Sequence, residues 1–111
     1  MFGIIDAGDI MSVLSAVLEK EEKRNEKMIS SYMLELEQLP KGCIKPKKVN
    51  NNTYFYLIYR DGERVVSKYI GKDESSIKDI REKLIRRKQI GELLKILNKE
   101  KNDIKKMEAI I

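Results

Sequence analysis

The pair Asp61-Gly62 stands between two runs of alternating β-branched and aromatic residues, TYFYLIYR over residues 53–60 and ERVVSKYI over residues 63–70. A two-residue Asp-Gly link between such runs is the strongest short-range signal for an antiparallel hairpin, because both centres of a type I′ turn need a positive φ that Asp and Gly adopt readily. That turn would set Arg60 opposite Glu63, Ile58 opposite Val65, Tyr56 opposite Ser67 and Tyr54 opposite Tyr69. One face then carries Tyr54, Tyr56, Ile58, Val65, Ser67 and Tyr69, and the other Phe55, Leu57, Tyr59, Arg64, Val66, Lys68 and Ile70. Phe55, Leu57, Val66 and Ile70 are expected to pack on a helix. The tyrosine face is left for a partner, or for cover by the second long helix or another subunit.

Cys43–Val49 reads as a third strand at the sheet edge, since Pro46 lacks the N–H that a central strand must donate. Asn50-Asn51-Asn52 is the turn that joins it to the hairpin. Leu39-Pro40-Lys41-Gly42 stops whatever precedes it, because Pro disfavours helix in the residue before it and Gly permits the turn.

Helices are expected on both sides of this sheet. After a tail over residues 1–8, Asp9 can cap a helix over residues 9–38, with Ile10, Val13, Leu14, Val17 and Leu18, then Met28, Ile29, Tyr32, Met33, Leu36 and Leu39, recurring at three and four. Between these groups, residues 19–27 (EKEEKRNEK) form either an exposed, ion-paired helical stretch or a fray point. A second helix over residues 73–110 is capped by Asp73 or Ser76, and Ser76-x-x-Asp79 has capping-box spacing. Ile77, Ile80 and Leu84 open its apolar stripe. Ile90, Leu97, Ile104 and Ile111 then fall seven apart, with Leu93 and Met107 at the intervening position, as a short coiled-coil seam interrupted at Glu100, with Gly91 a place for a bend. The seam would pair with the first helix as an antiparallel hairpin or with another subunit. The expected fold class is therefore α+β: one domain over residues 1–111, with a three-stranded antiparallel sheet over residues 43–70 between two long helices.

Composition closes off several chemistries. The 111 residues include no His and one Cys, which excludes zinc fingers, His-based acid–base catalysis and disulfide scaffolds. No phosphate-cradling glycine loop and no nucleophile elbow is present. Asp73, Glu74 and Asp103 read as caps and solvated surface, and Cys43 as a small half-buried side chain. The expectation is no enzyme, no cofactor and no metal. The uncharged residues near 7–18 lack the basic flank of a signal peptide and the span of a membrane helix. With one unpaired Cys, a cytoplasmic protein without membrane contact is expected.

The charge is unevenly spread. Residues 1–40 carry 4 Lys/Arg and 8 Asp/Glu, residues 41–72 carry 8 and 2, and residues 73–111 carry 11 and 8. The middle segment, net +6, also holds five of the seven Phe and Tyr residues. Cations interleaved with aromatics suit a polyanion with stackable bases, although strands favour tyrosine for their own reasons. The candidate nucleic-acid-binding residues are Lys45, Lys47, Lys48, Tyr54, Tyr56, Arg60, Arg64, Lys68, Tyr69 and Lys72. A narrow antiparallel sheet can enter a DNA major groove with flanking lysines on phosphates, which favours DNA over RNA. Arg86-Arg87-Lys88 adds either phosphate contacts or solvated charge.

Taken together, Leu39-Pro40-Lys41-Gly42, Tyr54-Phe55-Tyr56-Leu57 with Tyr59-Arg60 and Gly62, then Ser67-Lys68-Tyr69 and Gly71-Lys72 form a pattern. It resembles a widespread group of short bacterial, archaeal and phage proteins that share LPKG, a YYYLxYRxG strand, an SKYxGK strand and a charged helix. The resemblance spans about residues 39–97 and implies this architecture and a mobile-element setting; the group has no established activity. A looser likeness is to the arm-type DNA-binding domain of tyrosine recombinases, a three-stranded sheet backed by a helix. That likeness implies Lys47, Tyr56, Arg60, Arg64 and Lys68 as DNA-facing positions. The chain departs from it by carrying no recombinase catalytic domain and by placing a long acidic helix before the sheet.

The leading expectation is a small accessory or regulatory nucleic-acid-binding protein, held as a homodimer or helical hairpin by its long helices. The alternative is a protein-interaction module whose partner is a nucleic-acid-binding protein, such as a phage-encoded inhibitor of a host defence nuclease.

Overall fold

The computed structural model describes residues 6–111; the first five residues of the expected tail lie outside the described residues. The element order is α1 (Ala7–Glu37), β1 (Cys43–Val49), β2 (Asn52–Asp61), β3 (Arg64–Gly71) and α2 (Glu74–Ile110). This is the expected α+β class: two long helices on either side, in sequence, of one antiparallel sheet in the order β1-β2-β3.

The cap of α1 is Asp6 and not Asp9. The Asp6 carboxylate accepts the backbone N–H of Asp9 at 2.8 Å, which puts Asp9 two residues inside the helix, where its charge still suits the helix N-terminus. The helix then runs unbroken through residues 19–27, where Lys23 pairs with Glu19 and Arg24 with Glu21 one turn away. At the start of α2, Asp73 is the cap. Its carboxylate accepts the Ser76 N–H at 2.9 Å, and the Ser76 hydroxyl donates to the Asp73 carbonyl at 2.8 Å. The reciprocal pair is thus Asp73 with Ser76, while Asp79 binds Lys83 at 3.0 Å instead.

By internal contacts the chain divides into two compact units. One joins the chain up to Glu35 with Glu92–Ile111; the other is Leu36–Gly91. In the first, α1 and α2 run antiparallel: Arg24 reaches Glu100 at 2.8 Å, and Asn25 reaches the Leu97 carbonyl at 2.9 Å. Leu18, Leu97 and Ile104 are buried, and so is Asn25, which donates to that carbonyl and to Glu100 at 3.2 Å while its own amide oxygen has no partner. Of the apolar positions read as periodic in α1, only Leu18 is buried; Ile10, Val13, Leu14 and Val17 stay in water. Of the expected seam, Met107 on α2 and Ile111 just past its end are exposed as well.

In the second unit the core lies between the sheet and the first half of α2. Leu57 is buried on β2, and Ile77 and Ile90 are fully buried on α2. Ile44 of β1 shares a hollow with Leu84 and Ile85 of α2. Phe55, Val66 and Ile70 are half-buried on the Leu57 side, as the alternation requires. Gly42 holds φ at +110°, and a side chain there would run into the Ile58 carbonyl, so the last residue of LPKG is needed twice over. Arg87 closes the same corner. Its guanidinium donates to the carbonyls of Leu36 and Leu39 at 3.2 Å each, beside the Leu39 N–H that the Leu36 carbonyl also accepts where α1 ends. Arg87 is therefore neither a free phosphate ligand nor merely solvated.

The chain reverses at Asp61-Gly62 as expected, but the turn and the register differ. Asp61 stays in β2 opposite Arg64, and the loop residues are Gly62 and Glu63. Gly62 alone takes a positive φ, +63°, as in a type II′ turn. A type I′ turn would need a positive φ at Asp61 as well, whereas the observed turn places its one positive φ on Gly62, where it has no steric cost. Tyr56 consequently faces Tyr69, Ile58 faces Ser67 and Arg60 faces Val65. The slip is by an even step, so every residue keeps its expected face. Beyond Tyr56 the ladder is bulged, and Phe55 pairs with Gly71, leaving Ile70 as the extra residue on β3.

Candidate nucleic-acid interface

The register of β1 on β2 pairs Cys43 with Ile58, Lys45 with Tyr56 and Lys47 with Tyr54, which brings Lys45 and Lys47 to the tyrosine face. Arg60 lies on the same face at the hairpin end. Lys72 follows β3 and reaches back to it, its ammonium 5.9 Å from the Tyr54 ring centre, within range of a cation–π contact. Seven of the ten candidate residues thus meet on one side: Lys45, Lys47, Tyr54, Tyr56, Arg60, Tyr69 and Lys72. Lys48, Arg64 and Lys68 point from the opposite face, where they pair in register with Thr53, Asp61 and Leu57.

The three tyrosines form a contiguous aromatic strip. Tyr69 packs edge-on against Tyr56 with ring centres 5.6 Å apart, and tilted against Tyr54 at 6.2 Å. Such geometry holds the rings in place while leaving Tyr69 half in water, at 52% exposure. Beside the strip is a shallow hollow of about 270 Å³ lined by Lys45, Pro46, Lys47, Tyr56, Ile58 and Ser67. Pro46, Ile58 and Ser67 were not candidates. Pro46 between two lysines is the one sequence signal for this hollow, and it reads first as an edge marker.

No Asp or Glu of the strands lies on this face, and among the described residues none of Lys45, Lys47 and Arg60 is engaged in an ion pair. The ion pairs Arg81–Glu74 and Lys83–Asp79 of the same unit both lie in α2. The face can therefore hold anions at its rim and offer flat, weakly polar rings at its centre.

Cys43, expected half-buried, is exposed. The described residues contain no group of three or more Cys, Asp or Glu placed to hold a metal ion, and no helix long and apolar enough to cross a membrane.

No curated protein and no solved structure matches the chain. A family model does match, over residues 14–82, which take in most of α1, the whole sheet and the first turns of α2. With well over half its length so matched, the chain belongs to the family described as a domain of unknown function, DUF6788.

Proposed function

We propose that this chain is a small accessory or regulatory nucleic-acid-binding protein, acting by binding and not by catalysis, and that the tyrosine face of the sheet is the surface it uses. The observation that carries this reading is the gathering of Lys45, Lys47, Arg60 and Lys72 around three tyrosines on a face to which the strands contribute no carboxylate. Duplex DNA is the favoured ligand. A two- or three-stranded ribbon fits the B-form major groove, whereas the A-form RNA major groove is too narrow for side chains to read. The likeness of residues 39–97 to short bacterial, archaeal and phage proteins supports a mobile-element or phage setting.

Fluorescence anisotropy on a short duplex and on a single strand, at rising salt, tests the proposal. If four cations neutralise phosphates, the logarithm of the binding constant should fall against the logarithm of salt with a slope of roughly −3 to −4 on the duplex. Lys45→Glu with Lys47→Glu should flatten that slope by roughly half and weaken binding at every salt concentration. Absence of binding at low salt, or binding indifferent to the two reversals, would overturn the proposal. In that event a stoichiometric protein partner recovered from nuclease-treated lysate would favour a protein-interaction module, with an inhibitor of a defence nuclease as one form.

A further inference from the structure

Six large aliphatic side chains stay in water near one end of the two-helix unit: Ile10, Val13, Leu14, Val17, Met107 and Ile110, between 43% and 84% exposed. Leu18 and Asn25 mark the line along which α1 meets α2, and Leu97 and Ile104 mark it on α2. At about 100° per residue, Ile10 and Val17 lie roughly a quarter turn to one side of the α1 line, with Leu14 nearer the line and Val13 farther round on the same side. Met107 and Ile110 lie roughly a quarter turn or a little more from the α2 line. Because the helices are antiparallel, the two offsets fall on the same side of the pair, and the six residues make one patch.

Two further observations say what covers it. The patch leaves six large apolar side chains at least 43% exposed on one side of the pair, more than the scattered single residues a monomer ordinarily shows. The unit that carries it is also nearly neutral, with 9 Lys/Arg against 11 Asp/Glu, and residues 10–18 hold no charge at all. A second copy of the same surface therefore meets little repulsion, whereas Leu36–Gly91, with 14 Lys/Arg against 7 Asp/Glu, repels its twin.

We infer that this patch is the self-association surface of the chain, joining two copies patch to patch about a two-fold axis into a four-helix arrangement. The occupant is a second copy of α1 and α2, and the inference stands independently of any ligand on the sheet.

Sedimentation and light scattering on the full chain over a range of concentrations give the test. The expected mass is twice the 13.0 kDa of one chain. Val13→Glu with Val17→Glu, and separately Ile110→Glu, should each weaken the dimer by more than roughly tenfold, because a charge would be buried without a partner. Their helical circular dichroism should not change, the three side chains being exposed in the single chain. Should the glutamate variants lose helix, Val17→Ser and Ile110→Ser replace them with the same expectation. Val65→Glu, on the open face of β3, should leave the mass unaltered. A wild type monomeric at every concentration, a dimer of wild-type affinity in both variant sets, or a dimer abolished by Val65→Glu would each overturn the inference.

Discussion

The two units treat their charges differently. Along the helix pair, cations and carboxylates are interleaved and engaged with each other: Lys23 with Glu19, Arg24 with both Glu21 and Glu100. On the sheet, Lys45, Lys47 and Arg60 are in no ion pair among the described residues. Exposed ion pairs contribute little stability each, so what the helices gain from theirs is chiefly a muted field. The sheet, left unbalanced, projects its field outward. One surface is suited to its own kind and the other to an opposite charge, within a single chain of 111 residues.

The sharpest way to break this comparison is to damage one unit and watch the other. Ile77 is fully buried in the sheet unit, and Ile77→Ala should destabilise it by about 2–5 kcal/mol. Amide hydrogen exchange should accelerate through β2 and β3 while the amides around Asn25 hold their rates, if the units open separately. Equal acceleration in both would mean that the chain behaves energetically as one body.

A smaller effect is expected from Asn25→Leu. The buried amide makes two bonds and leaves its oxygen unpaired. A leucine of the same branching, though larger, removes the polar group outright, so thermal stability should change by less than about 1 kcal/mol or rise. What the substitution should loosen is the register of α1 on α2, readable from the distance between spin labels placed on the two helices. A large loss of stability with unaltered register would assign the amide a holding role instead.

The smallest effects, and the most telling in sign, come with pH. Hydrogen bonds from Ser75 and from the Ser76 backbone hold the Asp73 carboxyl below its ordinary value. Its contribution to the sheet unit is therefore in place at neutral pH and lost as pH falls through that lowered value. Glu22 moves the other way, raised first by its hydrogen bond with Glu108 and then by desolvation and the Glu108 charge. Its contribution to the helix pair is full in acid and lost as pH rises through the raised value. Residue-resolved exchange between acid and neutral pH should thus show the start of α2 loosening in acid while the Glu22 region tightens. Parallel trends would remove the distinction.

Much of the sheet could be read directly. The alternation over residues 53–70 with Asp61-Gly62 between its halves leaves few other folds open, and the assignment of residues to faces holds. The register escaped because two pairings that differ by an even step satisfy the same alternation, and Asp61-Gly62 and Gly62-Glu63 are both two-residue links that a primed turn accepts. For the helices, spacing alone could not separate core from surface. Ile10, Val13, Leu14 and Val17 recur as a core stripe does, yet only Leu18 beside them is buried, because a two-helix unit has one contact line and no third layer. Asn25 and Arg87 were out of reach for a related reason. Polar residues in a charged stretch reveal nothing of themselves until a distant backbone carbonyl is brought to them.

The borders of the sheet carry one more consequence. Pro46 removes a donor from the outer rim of β1, and the extra residue at Ile70 disturbs the line of β3. A three-stranded ribbon with two regular rims would invite strand after strand from neighbouring molecules into a growing fibril; here each rim is spoiled in its own way, and the ribbon ends where its third strand does.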